Sequence, residues 1–273
     1  MSPAIGKLAR QTDWSEIVQY DDAIISFEAS MDLRELVVGG DQSTQLKQVG
    51  NSEQLEQQQQ LQQIFHIRMA NSEGRREAAS LLLRKMYGWR GYAIEAGLPA
   101  APNKITLYAE TAGETVGTMS LCLDSPEAGL PADENFRDKL DLLRSEQRRL
   151  CEPSRLAIDK GVSKRVFAAL IHISYIYARN IHGFTDYIIE VNPRHVMFYK
   201  RMLGFRDFGG LRECTRVGAP AVLLRLELDY MDEQIQKFGG LMEKHAQERS
   251  FYPYFFPRRD EPGITGRLVA GKT

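Results

Sequence analysis

An α/β fold, with a mixed sheet covered by helices on both faces, is what this sequence predicts, and three observations carry it. Strand-like runs alternate with helical periodicity from Ile64 onward. Two of the runs, Ile105–Glu110 and Thr115–Leu123, are joined by Thr111–Glu114 (TAGE), which reads as a hairpin turn. The later chain then runs strand, helix, strand, helix, strand.

In order, Ala23–Phe27 (AIISF) fits one strand or a short helix. Asp41–Gln63 has little hydrophobic periodicity and seven glutamines from Gln54 to Gln63, too little apolar surface to offset its ordering entropy. It reads as a linker or a solvated helix, so residues 1–63 form an extension. Ile64–Met69 alternates as a strand, and Glu73–Met86 is a helix with Leu82, Leu83 and Met86 on its apolar face. After the hairpin, Asn135–Gln147 is an amphipathic helix and Leu150–Ile158 a strand. Ser163 caps a long apolar helix through Ile181. Tyr187–Val191 is a strand, Arg194–Leu203 a short helix stopped by Gly204, and Ala219–Leu228 a final strand. The main folded domain is expected to span residues 64–240. Residues 241–273 form a less regular tail whose aromatic-proline cluster, Phe251–Pro257, either packs back on the domain or forms a lid over a pocket.

The composition is that of a globular protein, 43% hydrophobic and 26% charged. A net charge of -1 excludes a general nucleic-acid or membrane-surface binder, so charge recognition must be local. Cys122, Cys151 and Cys214 are widely spaced, with no CxxC pair, and the histidines show no ligand spacing, so no metal is expected. With no signal-like segment and no apolar run of ~18 residues, the expectation is a reduced cytoplasmic protein.

Three stretches carry chemistry. In Cys151–Ile158 (CEPSRLAI), strand alternation puts Glu152, Ser154 and Leu156 on one face and Arg155 on the other. A carboxylate inside a strand must be paired or used. Pro153 cannot donate to a ladder, so a gap beside this strand is expected, where a ligand can enter. The plainer reading is a Glu152–Arg salt bridge at a sheet edge. Next, Asp159–Arg165 (DKGVSKR) runs from strand into helix. Its Gly161 and Ser163, with Lys164 and Arg165, offer backbone N–H groups and positive charge to a phosphate, although an ordinary capped helix would look the same. It is not a P-loop. The third stretch, Glu190–Phe205, reads as strand end, Pro at the first helical turn, short helix and Gly stop, with His195 and Tyr199 on one helix face.

These stretches, in this order, resemble the long-chain N-acyl amino acid synthases, relatives of the acyl-homoserine-lactone autoinducer synthases in the GNAT superfamily. The most specific words are Lys85–Tyr92 (KMYGWRGY), Arg149–Asp159, Ser163–Leu170, Ile189–Phe205 and Tyr230–Gly240, and the likeness runs from about Phe65 to Gly240. The resemblance implies a GNAT-like, mostly antiparallel twisted sheet. It implies no permanent cofactor, a phosphopantetheine-linked fatty acyl donor (acyl carrier protein, with acyl-coenzyme A as the alternative) and an amino acid as acceptor. It implies Glu152 as acid/base and Tyr199 near the thioester. Ala157, Ile158, Gly161, Ser163, Lys164, Arg165, Asn192 and His195 would hold the donor arm, and Arg84, Trp89, Ser154 and Arg155 would line or brace the acceptor pocket. Two features depart from the family: Pro153, and the spacing of Arg84, Tyr87 and Trp89.

Amide formation needs a base for the ammonium, donors for the oxyanion and a proton for the departing thiolate. Glu152, the backbone of its strand and Tyr199 fit these roles. The apolar helix face of Phe167, Leu170, Ile171, Ile173 and Tyr177 is either an acyl-channel wall or simply core. For docking an acidic carrier protein, the run from Arg194 to Arg216 offers Lys200, Arg201, Arg206 and Arg212 besides its ends, against only Asp207 and Glu213. Two other classes fit the same sequence: an acetyl-coenzyme-A-dependent N-acetyltransferase, and a non-catalytic acyl- or lipid-sensing module.

Overall fold

A computed structural model describes residues 24–27, 65–88, 101–160, 162, 164–241 and 248–270. Among the described residues, eight strands form one sheet: β1 (Ile24–Phe27), β2 (Phe65–Met69), β3 (Lys104–Thr111), β4 (Glu114–Leu123), β5 (Leu150–Ile158), β6 (Asp186–Val191), β7 (Arg206–Cys214) and β8 (Ala219–Glu227). Their order is β1-β2-β3-β4-β5-β6-β8-β7, and every pairing is antiparallel except β5 with β6. Of the stretch Ala23–Phe27, the described residues Ile24–Phe27 thus form a strand at the edge of this sheet. The turn between β3 and β4 has Ala112 and Gly113 both at positive φ (48° and 82°), the conformation of a two-residue hairpin turn whose twist matches the strands.

Helices α1 (Glu73–Gly88) and α2 (Asp133–Ser145) cover one face. In α2, Phe136, Leu140 and Leu143 recur at helical spacing and are buried against Cys122, Leu150 and Ile188. On the other face lies α3 (Lys164–Tyr175), in which every residue from Val166 to Tyr175 is buried, as an all-round apolar helix must be. The long helix expected through Ile181 changes register: Ile176–Ile181 is a π-helical turn. Phe167, Leu170, Ile171, Ile173 and Tyr177 all belong to the main core cluster.

Helix α4 (Val196–Leu203) follows a 3-10 turn at Pro193–His195 and stops at Gly204, at φ 84°. A Cβ there would collide with the Tyr230 ring as well as strain the backbone, so glycine is required. Helix α5 (Leu228–Phe238) buries Leu228, Met231, Ile235 and Phe238 along one stripe.

The tail is more regular than its sequence suggests. It contains α6 (Glu261–Ala270), which buries Glu261, Ile264 and Leu268. Phe251, Tyr252 and Phe255 are buried in the main core; Tyr252 Oη donates to Leu203 O at 2.6 Å and Phe251 N to Met202 O at 2.9 Å. The His172 ring lies stacked against Phe255 and Phe256, with centroids 4.9 and 5.3 Å away. Its Nδ1 accepts from Phe256 N at 3.1 Å, so its Nε2 carries the proton that meets Glu261 Oε1 at 3.1 Å. Burial holds this imidazole below its ordinary pKa, against the pull of Glu261.

Candidate active site

The sheet closes and then parts between β5 and β6. The two strands pair only at Leu150↔Asp186 and Cys151↔Tyr187. That closed end is pinned by the fully buried Asp186, which accepts from Arg148 Nε and Arg225 Nε, each at 2.7 Å. From Glu152 onward β5 has β4 on one side and, among the described residues, no strand on the other, while β6 continues along β8 to Val191. Two local features open this gap. Pro153 has no N–H for a ladder. A β-bulge between Thr118↔Ala157 and Ser120↔Ser154, with Arg155 at φ 50°, adds a residue to β5 and sharpens its twist.

The bulge also corrects the alternation expected from the sequence. Glu152 and Ser154 do share a face, but the extra residue reverses the pattern beyond it. Ala157 joins Ala79, Leu82 and Leu83 beneath α1, and Leu156 and Ile158 pack on the α3 side. Arg155 is the residue in the left-handed conformation and stands outside simple alternation.

Glu152 is 2% exposed. Its Oε2 accepts from Ala132 N at 2.8 Å, at the start of α2. Burial pushes its carboxyl up to about 8, opposed by that hydrogen bond and the Arg216 charge and reinforced by Glu190 and Asp133. Opposite it on β4, burial and then the charge of Glu152 push the Cys122 thiol up to about 11. The loop carrying Ala132 is anchored by Arg144, which donates to both Asp124 oxygens at 2.8 Å and to both Asp133 oxygens at 2.6 and 2.7 Å. This network lines a concavity of about 560 Å³ at the closed end of β5, away from the parted strands. Its charges are spent on one another. The gap holding Glu152 is therefore the better candidate for chemistry.

The other expected residues fall around this gap unevenly. Tyr199 is half-buried on α4, edge-on to Phe198 and Phe205 at 5.2 and 5.8 Å. Asn192 caps the turn after β6, its Oδ1 accepting from Arg194 N at 3.2 Å, and His195 Nε2 accepts from Arg194 Nε at 3.1 Å. Lys164 is exposed at the start of α3, and burial lowers the pKa of the half-buried Arg165. Ser154 is half-buried within the gap strand, and Arg84 is exposed on α1. Arg155 Nη1 is buried with no hydrogen-bond partner among the described residues. Gly161, Ser163 and Trp89 lie outside the described residues. From the same KMYG segment, Tyr87 Oη donates to Leu156 O at 3.1 Å and Lys85 Nζ to Asp159 Oδ2 at 2.7 Å, tying the end of α1 to β5.

The continuous basic face expected between Arg194 and Arg216 is broken up. Lys200 is paired with Asp207, Arg212 with Asp138, and Arg216 with Glu190 and Glu134. Sequence alone shows the positive charges but not which acids the fold brings to them. Glu190 is the residue missed as a separate candidate; a carboxylate following the apolar run Tyr187–Ile189 inside the strand DYIIEV was its signal.

Among the described residues no group of three or more His, Cys, Asp or Glu side chains is placed to hold a metal ion, and no described helix is long and apolar enough to cross a membrane.

The family model of the N-acyl amino acid synthase FeeM matches residues 78–227, more than half of the chain. The chain belongs to this family. It is an acyltransferase with the GNAT fold. Among solved structures, it is similar to FeeM, an N-acyl amino acid synthase from uncultured soil microbes, at 27% identity and a TM-score of 0.55, over 61% of this chain and 93% of that one. It is more distantly similar to the AHL synthase LasI (14% identity, 61% and 91% covered, TM-score 0.41). An acyl-CoA N-acyltransferase from Pseudomonas aeruginosa gives 13% identity, 60% and 98% coverage and a TM-score of 0.42. Among curated proteins, none matches the chain.

Proposed function

We propose that this FeeM-family acyltransferase moves a long-chain fatty acyl group from the phosphopantetheine thiol of an acyl carrier protein to the amine of an amino acid. The observation that carries the reading is a buried carboxylate of raised pKa, Glu152, on the strand that borders the opening between β5 and β6.

In this reading the pantetheine arm enters between the parted strands, with its phosphate toward the turn after β5. Glu152 takes a proton from the acceptor ammonium, and the freed amine attacks the thioester carbonyl. Backbone N–H groups on the unpartnered edge of β5 receive the developing oxyanion. Collapse forms the amide and breaks the carbon–sulfur bond. Tyr199 protonates the departing thiolate and regains a proton from the nitrogen. A base whose pKa lies near the operating pH accelerates such a step by ~10²–10⁴-fold. Because Glu152 sits at about 8, kcat/KM should rise with pH toward that value as the carboxylate forms.

Apolar residues around α3 and α4 suit a long acyl chain, since each buried CH₂ contributes ~0.8 kcal/mol. Thiol release from acetyl, octanoyl and palmitoyl donors should show kcat/KM rising with chain length, and preference for acetyl would replace this reading with acetyl transfer. Binding of the donors without amine-dependent turnover would instead favour a sensing module. The carrier is tested by its charge. Lys200, Arg212 and Arg216 are engaged internally, so the test is made at the start of α3, beside the turn expected to meet the phosphate. Lys164→Glu with Arg165→Glu should raise KM for acyl-carrier protein far more than for acyl-coenzyme A, and more so at low salt. Equal losses for both donors would count against a carrier docking face.

A further inference from the structure

Glu152 does not stand alone in the gap. Glu190 lies near the end of β6, two residues beyond Ile188, which packs beneath α2. Strand alternation therefore puts Glu190 on the α2 side, the side on which Glu152 meets Ala132 N. The two carboxylates sit on the two strands that part, on the same side of the sheet. Glu190 is held rather than free: its side chain is 3% exposed, Asn135 Nδ2 donates to Oε1 at 2.8 Å, and Arg216 Nη2 donates to Oε2.

Arg216 reaches this place from the tip of the β7–β8 hairpin, Thr215–Gly218. The same tip grips the first turn of α2. Arg216 Nε lies 3.6 Å from Glu134 Oε2, and Thr215 Oγ1 donates to Glu134 Oε1. Asn135, which holds Glu190, is the next residue of that turn, and Ala132, which holds Glu152, immediately precedes it. One short stretch of chain thus connects both carboxylates to the hairpin.

We propose that Arg216 and Glu190 are positioning residues for Glu152: the hairpin clamp fixes the start of α2 against it and sets the charge that it faces. The inference rests on the reading of Glu152 as the base. Glu152 faces Ala132 N–H and Asp133 from α2, Cys122 from β4, Glu190 from β6 and Arg216 from the hairpin; Arg155, on its own strand, acts on Cys122. Arg216 favours the charged form of Glu152, and Glu190 and Asp133 oppose it. Removing Arg216 should therefore make Glu152 harder to ionise. Removing the charge of Glu190 should make it easier, since one repulsion is lost and Arg216 is released.

The test is a ¹³C NMR titration of the Glu152 carboxyl in the full-length protein, assigned by its loss in Glu152→Gln. Alongside it, thiol release from palmitoyl-carrier protein is followed with a mixture of the twenty amino acids. Arg216→Gln should raise the Glu152 midpoint and Glu190→Gln should lower it, each by about 0.5–1 pH unit, with the acidic limb of kcat/KM moving alike. Arg216→Lys, which keeps the charge and guards against a variant that fails to fold, should stay closer to the parent midpoint than Arg216→Gln. A purely structural clamp would lower stability in both variants without opposite shifts. Midpoints that move together or not at all, with Glu152→Gln inactive, overturn this inference alone. Opposite shifts with Glu152→Gln fully active would remove the base instead, leaving the electrostatic coupling in place.

Discussion

Replacing Glu152 with glutamine is expected to lower kcat by ~10²-fold or more in a protein that keeps its fold. The amide is the same size as the carboxylate, and its Oε1 can still accept from Ala132 N, so the start of α2 keeps its anchor. What disappears is a carboxylate able to take a proton, the role proposed for it toward the acceptor amine. Stability should move the other way. The folded-state pKa of about 8 lies above the ordinary value of 4.5, so between them the folded chain holds a proton that the unfolded chain has lost. The favourable contribution of Glu152 is full below about 4.5 and is lost as pH rises through about 8. Glutamine does not titrate. Thermal melts should therefore show Glu152→Gln gaining Tm relative to the parent as pH rises across that window. Near-normal turnover in the folded variant would reduce Glu152 to an anchor for α2, and a parallel pH dependence of Tm would mean that its raised pKa is wrong.

Ending the chain after Gly240 should abolish a soluble, cooperatively folded protein, although the family match stops at residue 227. The lost segment buries Phe251, Tyr252, Phe255, Ile264 and Leu268 in the main core. Each large apolar side chain contributes roughly 1.5–3 kcal/mol, so together they rival the ~5–15 kcal/mol by which a domain is stable. Their loss would also uncover Phe167 and leave His172 without Phe256 N and Glu261. Tyr252→Phe isolates one part of this: losing the hydrogen bond to Leu203 O should cost about 1 kcal/mol in denaturant unfolding. A truncated chain that stays soluble and melts in one sharp step would show that the tail is an appendage.

Most elements were legible because their apolar periodicity is strong. Leu150–Ile158 has the bounds read from sequence, and α2, with Phe136, Leu140 and Leu143, differs from its expected span by two residues at each end. Pro153 signalled the local stretch of β5 that, among the described residues, has no strand on one side. The bulge was not legible, since no glycine marks Arg155 as left-handed, and so the side taken by Leu156 was misread. Helix α6 was missed because Pro262, Gly263 and Gly266 are poor helix formers; burial of Ile264 and Leu268 and the contact of Glu261 with His172 override that local preference. The ion pairs that dissolve the basic run join residues 26 to 82 positions apart, or Lys200 of α4 to Asp207 of β7 across the turn at Gly204, relations that only the fold supplies.

The measurement that bears most directly on the whole account is mass spectrometry of the products formed when the purified full-length chain is given palmitoyl-carrier protein and a mixture of the twenty amino acids. The account predicts a palmitoyl amide of at least one amino acid, formed together with an equal amount of free carrier-protein thiol and only when amine is present. Thiol released without amide, amide formed only from acetyl donors, or no turnover with any amine would contradict it.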